Sequence, residues 1–301
     1  MNIKINGEYQ PFIKWVGGKR GLLKQILGEF PREFNNYYEP FLGGGAVFFE
    51  LYSQGLLKDK RVFLSDINEE LINSYKVVKN SPKDLIINLE LFKERHNKEF
   101  YYQIREMDRE ENFRELTDIE RATRFIYLNK SCFNGLYRVN KKGYFNTPIG
   151  SYKNPNIADR DTILKASEAL QNVELSTKSF NQIINCVTKG DLVYFDPPYY
   201  PLTTTSSFTS YNKNIFLDNE QKDLFNTFKI LDSKECYIFH SNSNTDFIKN
   251  LYKEYDIITI QANRFINSKG SGRGKINEIF IRNVMKKSRF KELKNSFQES
   301  I

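Results

Sequence analysis

The chain reads as an α/β fold in which short buried strands alternate with amphipathic helices, interrupted by a helical and hairpin insert. Three observations carry this. Leu192-Val193-Tyr194-Phe195 is an apolar, aromatic and β-branched run of strand length, and it ends abruptly in Asp196-Pro197-Pro198-Tyr199. Tyr37-Tyr38-Glu39 runs into Gly43-Gly44-Gly45 and then a helical pattern, an order that lets backbone approach a ligand where a helix begins. Strand and helix patterns then alternate again towards Arg282.

Composition sets the bounds. Hydrophobic residues make up 40% of 301, with 25 Phe and 18 Tyr, so a sizeable aromatic core can form. The net charge of +8 suits a polyanionic partner. Its placement is more telling: residues 129–160 hold six basic residues and one acid, and residues 264–275 four basic residues and no acid. The sequence has no apolar run long enough for a transmembrane helix. The start, Met1-Asn2-Ile3-Lys4, has no signal-peptide apolar region, so a cytoplasmic protein is expected. Cys132, Cys186 and Cys236 are an odd number without zinc spacing and read as reduced thiols. His96 and His240 make no metal pair; His240 ends the apolar run Cys236–Phe239 and reads as a satisfied structural histidine.

In chain order, Gly18-Lys19 invites a phosphate-loop reading. That reading fails, because Ile13 stands where the first glycine belongs and Arg20 follows the lysine. Trp15 beside Gly17 and Gly18 fits either a ligand wall or a core anchor. Leu22, Leu23, Ile26 and Leu27 give a short amphipathic helix before Pro31. After the glycine loop, Phe48 excludes the dinucleotide fingerprint, so a single-nucleoside ligand is expected. Arg61–Asp66 is a second strand, and Asp66 lies roughly twenty residues past the glycines, where a carboxylate takes ribose hydroxyls.

Leu71, Ile72, Tyr75 and Val78 form one helical face, Leu85, Ile86, Leu89 and Phe92 a second, and Ile119, Ala122, Phe125 and Ile126 a third. Asn134-Gly135 and Lys141-Lys142-Gly143 then frame short aromatic runs, as in hairpins. Beyond Tyr199, a helix near Asn219–Leu231 is predicted to be capped by Asp218 with Gln221 three residues on. Cys236–His240, Asp256–Gln261 and Glu278–Arg282 read as strands, Phe247–Tyr252 as a helix, and the last dozen residues as a polar tail.

The Asp-Pro-Pro-Tyr tip carries the chemistry. Each proline holds the preceding residue out of the helical region and keeps its carbonyl as an acceptor. Asp196 and the Pro197 carbonyl can therefore take the two hydrogens of an amino group, while the Tyr199 ring stacks on the planar base that bears it. Taken alone, the same residues also make a plain turn.

Six motifs in order remove that alternative: Lys14–Lys19, Glu39–Gly45, Phe133–Arg138, Asp196–Tyr199, Phe208–Tyr211 and Gly272–Lys275. In these the chain resembles, nearly end to end, the Dam-type DNA adenine methyltransferases, including the Gram-positive methylases that modify GATC. The resemblance implies a Rossmann-like S-adenosylmethionine-dependent methyltransferase fold. Residues 1–70 and 160–301 would form the catalytic domain and 71–159 an inserted target-recognition domain. S-adenosylmethionine is the implied methyl donor, double-stranded DNA the macromolecular partner, and the adenine of GATC the target. Asp196, Pro197 and Tyr199 are the implied catalytic residues. Trp15, Gly17, Lys19, Phe41, Gly43, Gly45, Asp66, Phe180 and Asp196 line the implied donor site. Gram-positive relatives carry an acid just before the aromatic residue at 180; here it is Ser179, so that contact is not implied.

DNA reading falls to the insert. Arg138 has the fork for a guanine edge and Leu136 the apolar reach for a thymine methyl. Phe133 can wedge into the base stack and Asn134 offers an amide beside it, with Lys14 and Tyr152 implied by the family. Lys141, Lys142, Lys269, Arg273 and Lys275 are expected on phosphates. Two rivals are weighed against this. A methyltransferase of RNA or of a protein glutamine usually carries Asn-Pro-Pro-Tyr, and a non-catalytic DNA-binding protein on the same fold would have lost Asp196 or the glycine loop. The chain keeps both features. A restriction endonuclease partner fits the resemblance but has no signature in this chain.

Overall fold

The computed structural model describes residues 5–202, 216–263 and 275–283. Among these residues the framework is one seven-stranded sheet of order β3-β2-β1-β4-β5-β7-β6. The strands are β1 (Tyr37–Glu39), β2 (Val62–Asp66), β3 (Val173–Thr177), β4 (Leu192–Phe195), β5 (Tyr237–Ser243), β6 (Asp256–Asn263) and β7 (Lys275–Arg282). All pairings from β3 to β5 are parallel, while β7 lies antiparallel between β5 and β6. The order reverses between β1 and β4, which pair at Tyr37↔Leu192 and Tyr38↔Val193. A crevice outside the strand ends is expected at that reversal. This is the Rossmann-like α/β arrangement the sequence predicts.

Strand alternation divides the core in two. Tyr37, Leu192, Tyr194, Phe239 and Phe280 pack on one face, with α1 (Leu23–Glu29), α2 (Ala46–Ser53) and α3 (Glu69–Asn80). Tyr38, Val193, Phe195, Ile238, Ile279 and Ile281 pack on the other. There they meet Leu224, Phe228 and Leu231 of α8 (Asp218–Ser233) and Ile248 of α9 (Asp246–Leu251). A strand buried on both faces needs the near-continuous apolar run that β4 has. No helix among the described residues is long and apolar enough to cross a membrane.

The helical segment between β2 and β3 follows the predicted faces. It comprises α3, α4 (Pro82–Glu94), α5 (Lys98–Glu106), α6 (Asp118–Ser131) and α7 (Arg160–Leu170). Asn68, Asn97 and Thr117 cap α3, α5 and α6, and Thr117 forms a full capping box with Glu120. The apolar face of α6 also carries two buried cations. Arg121 pairs with Glu70, and Arg124 lies 2.9 Å from Asp108 while donating to the carbonyls of Ile104 and Arg105. Asp108 also accepts the Phe145 N–H at 2.7 Å, fastening the segment that follows α6 to the bundle.

Four readings are corrected. α7 and β3 are elements that periodicity did not single out; β3 is the edge strand, and only Val173 in it is fully buried. The predicted hairpins are smaller than expected, with a short helical turn at Phe133–Gly135 and single bridges Cys132↔Ile149 and Val139↔Phe145. The cap of α8 is Leu217, whose N–H donates to Glu220, so Asp218 lies inside the helix and Gln221 is buried elsewhere. His240 is buried, with Nε2 3.2 Å from Asn242 Nδ2, but Nδ1 has no partner among the described residues. Burial pushes this ring down to a pKa of about 3, so it stays neutral.

Asp191 locks β4 into the sheet. Its carboxylate accepts from the N–H and Nδ2 of Asn36 at 3.0 and 2.8 Å, and from the N–H and Oγ1 of Thr188 at 2.8 and 3.1 Å. Asp191 is buried and its partners are partly so; Asp191→Ala leaves these donors without their acceptor. We expect a loss of about 3 kcal/mol of stability, read in urea as a lower midpoint at unchanged slope.

Candidate functional site

The tips of β1 and β4 face each other at the reversal of strand order. Asp196 ends β4, and one carboxylate oxygen, Oδ1, sits 2.8 Å from Lys19 Nζ. That pair is close but is not aligned as a hydrogen bond, and Oδ1 has no other partner among the described residues. Lys19 is 4% exposed; it also donates to the Gly17 carbonyl at 2.8 Å and lies 4.5 Å from the centre of the Tyr199 ring. Burial pushes the Asp196 carboxyl up to about 6. The Lys19 cation opposes that rise, and Glu278 adds to it. The tip thus holds a carboxylate poised between its two forms near neutral pH.

The backbone after Asp196 is fixed from behind. Gln221 donates to the Pro198 carbonyl at 3.3 Å, and Asn242 donates to Gln221 while accepting from the Tyr200 N–H. Ser243 donates to the Tyr200 carbonyl at 2.7 Å. Tyr199 Oη donates to Glu278 on β7 at 2.7 Å. Among the described residues no donor takes the Pro197 carbonyl beside Asp196.

The glycine loop closes the other side. Asp66, at the tip of β2, accepts from the N–H groups of Gly43 at 3.1 Å and Asn68 at 2.9 Å. Burial raises its carboxyl pKa, against these backbone bonds. Tyr75 donates to the Gly43 carbonyl at 3.1 Å. Gly43 has φ 48 and lies under Trp15, where a Cβ would stand 2.6 Å from the indole. Trp15 therefore lines the loop and is also a core anchor, stacking on Tyr137 and Phe125. Phe41 stacks on Phe180 at 5.3 Å, and Phe216 meets both rings edge-on. Ile67, beside Asp66, is 65% exposed. Gly45, with φ 67, precedes α2. Aromatic faces, an exposed apolar side chain and the carboxylates of Asp66 and Asp196, at the ends of the strands that flank β1, line this side of the cleft.

The recognition candidates gather around the start of the chain. Lys14 Nζ lies 4.1 Å over the Tyr152 ring, and a Cβ on Gly135 would stand 2.5 Å from Lys14. Asn134 adopts φ 55, which leaves it and Phe133 exposed on a tight turn. Leu136 is half-buried and its carbonyl accepts from Thr147 Oγ1. Arg138 is exposed and donates to Asn146. With Lys141 and Lys142 it lines an open basic pocket of about 500 Å³. Lys275 opens β7, while Lys269, Arg273 and the Phe208–Tyr211 motif lie outside the described residues.

Several site residues escaped the sequence reading. Asn129, 2% exposed, accepts from the Lys14 N–H at 2.8 Å and donates to the carbonyls of Lys14 and Gly135. It joins the strip containing Trp15 to the recognition turn. Glu39, fully buried, accepts from Tyr37 Oη at 2.8 Å, and burial pushes its carboxyl up to about 8. Gln221, Asn242 and Glu278 complete the set. Asn129, Gln221, Asn242 and Glu278 were hidden because their partners are remote in sequence, and Glu39 because its Tyr37 partner lies two residues away in a strand that reads as apolar.

The sequence is similar to known proteins along most of its length. The family model of the D12 class N6 adenine-specific DNA methyltransferases matches residues 15–266. A Type II methyltransferase of Lactococcus lactis subsp. cremoris is 43% identical over 282 residues, covering 93% of this chain and 96% of the relative. One from Methanocaldococcus jannaschii is 44% identical, covering 88% and 96%. A DNA adenine methylase of Vibrio cholerae is 35% identical, covering 89% and 94%.

Trp15 is the single tryptophan of the chain, so its emission reports on this loop alone. Gly43→Ala drives a methyl group into the indole at a backbone angle that disfavours alanine. The expected result is a red-shifted Trp15 emission and a more quenchable indole. An unchanged spectrum contradicts the packing described.

Proposed function

The chain belongs to the D12 class of N6 adenine-specific DNA methyltransferases, and from that premise we propose how it selects and methylates its base: S-adenosylmethionine is the donor, and the acceptor is the N6 amino group of an adenine flipped out of duplex DNA at GATC. The observation that carries the mechanism is the pair of acceptors at the tip of β4, the Asp196 carboxylate and the Pro197 carbonyl, which no donor among the described residues takes, beside the Tyr199 ring.

The donor supplies, when bound, an electrophilic methyl group on a sulfonium. Trp15, Gly17, Phe41, Gly43, Gly45, Asp66 and Phe180 would hold it, with Asp66 on the ribose and Phe180 on the adenine ring. Everything else falls to the chain. The lone pair of an adenine amino group is delocalised into the ring, which makes it a poor nucleophile. Two hydrogen bonds, to Asp196 and the Pro197 carbonyl, favour a pyramidal nitrogen and aim its lone pair. Orientation and acceptor dipoles then lower the barrier to in-line transfer. Asp196 acts as an acceptor in its ionised form, and Lys19 keeps that form accessible despite burial. No strong base is needed, since the methylated nitrogen is cationic and loses its proton readily.

A base inside a duplex cannot reach this tip, so it must leave the stack, with Tyr199 as its platform. We assign residues 71–159 to target recognition and residues 1–70 and 160–301 to the catalytic part. Phe133 and Asn134, exposed on their turn, would fill and read the gap. Arg138 faces a guanine edge, Leu136 a thymine methyl, and Lys14 with Tyr152 an outer base pair. Lys141 and Lys142, with Lys269, Arg273 and Lys275, would neutralise phosphates.

Two outcomes test the proposal. Asp196→Ala should lower single-turnover methylation by roughly 10²–10³-fold with the fold intact; near-normal turnover overturns the mechanism. Arg138→Ala should lose about 1–3 kcal/mol of discrimination at one outer base pair while slowing the best site less. Long-read mapping of every modified adenine in plasmid DNA checks both the target and this change. Modification mainly outside GATC refutes the assigned sequence.

A further inference from the structure

Tyr199 follows two prolines at the end of a strand, and among the described residues no hydrogen bond from its own segment holds its hydroxyl. What fixes it lies on another strand. Glu278 of β7, in register with Ser243 of β5, accepts a hydrogen bond from Tyr199 Oη at 2.7 Å. Lys19 Nζ lies 4.5 Å from the ring centre and 2.8 Å from Asp196. The ring is thus held at its hydroxyl by one carboxylate while a cation that pairs with the other lies against it.

We propose that Glu278 is the positioning residue of the site: it clamps Tyr199 in the plane that receives a purine and sets the charge that Asp196 feels. The inference rests on the reading of Tyr199 as the stacking platform for the target base. A hydrogen bond to a charged acceptor is short and directional, so it removes the ring's freedom before the base arrives. That is where preorganisation acts on the rate.

The second role is electrostatic. Among the described residues, the titratable groups that interact with Asp196 are Lys19 from the turn before α1, Tyr37 and Glu39 of β1, Tyr194 of β4, Tyr199, and Glu278. Of these, Lys19 favours the carboxylate of Asp196 and Glu278 opposes it. Replacing Glu278 by a neutral acceptor keeps the clamp and removes the opposing charge, so the two roles separate.

The experiment uses the full-length enzyme, S-adenosylmethionine and a duplex with 2-aminopurine at the target position, together with the adenine duplex. Glu278→Ala should lower kcat about tenfold at an unchanged donor KM, with weaker quenching of the flipped 2-aminopurine. Glu278→Gln should recover most of kcat and quenching, and should move the acid limb of the rate to lower pH. On the pH plateau Tyr199→Phe should match Glu278→Ala and the double variant should be no worse than either, because there both remove the same hydrogen bond; only Glu278→Ala should also move the acid limb to lower pH. Additive losses, or a Gln variant without recovery and with an unmoved acid limb, overturn the inference. Tyr199→Phe leaves Glu278 in place, so it decides the case even where Glu278→Ala does not fold. Full activity of Asp196→Ala would instead overturn the catalytic reading itself.

Discussion

The site depends on the ion pair between Lys19 and Asp196. A carboxylate at the end of a central strand is desolvated, and desolvation favours its protonated form. Protonated, it would offer an amino group one acceptor fewer. Lys19 counters this from a turn near the start of the chain, and its own burial is tolerable because Asp196 and the Gly17 carbonyl receive it. The pairing also explains the turn at Trp15–Gly18. The turn brings Lys19 to the tip of β4 while Trp15 packs down on the glycine loop after β1.

Three regions around that pair are held by buried and partly buried polar bonds. Asn129 bonds the Lys14 backbone to the recognition turn at Gly135, and Asp108 with Arg124 fastens Phe145 beyond it. Asp66 and Tyr75 bind the two ends of the Gly43 peptide. Gln221, Asn242 and Ser243 hold the peptides after Pro197. Unmatched polar groups in such places are costly, so these bonds fix geometry more sharply than apolar packing does. The turn at Gly135 is thereby bonded to the backbone that leads into Trp15.

Much of this was legible in the sequence, for physical reasons. Leu192–Phe195 is apolar on both faces because both faces are covered, and Gly43 must be glycine because Trp15 occupies the space of a side chain. Asp66, Asp196 and Tyr199 follow strands, and strand ends converge at a reversal of order. What was not legible is pairing at a distance. Glu278 looks like an ordinary strand residue until β7 inserts beside β5. Asn129 and Arg124 sit in a helix whose periodicity speaks only of Ala122, Phe125 and Ile126. The spacing of Gln221 from Asp218 predicts a cap residue, yet Gln221 is buried against Asn242. β3 was missed because an edge strand needs little apolar surface.

The central claim is that Asp196 works as a carboxylate whose charge is held by Lys19 against burial. The most direct measurement is the single-turnover methyl-transfer rate of the wild-type enzyme and of Lys19→Met between pH 5 and 8. In the wild type the rate should fall with decreasing pH and reach half its plateau near pH 6, where the carboxyl takes up its proton. Without the lysine the carboxyl gains its proton at higher pH, so the half-point of Lys19→Met should move upward. A wild-type rate that is flat across this range, or a half-point that moves downward in Lys19→Met, would contradict the account.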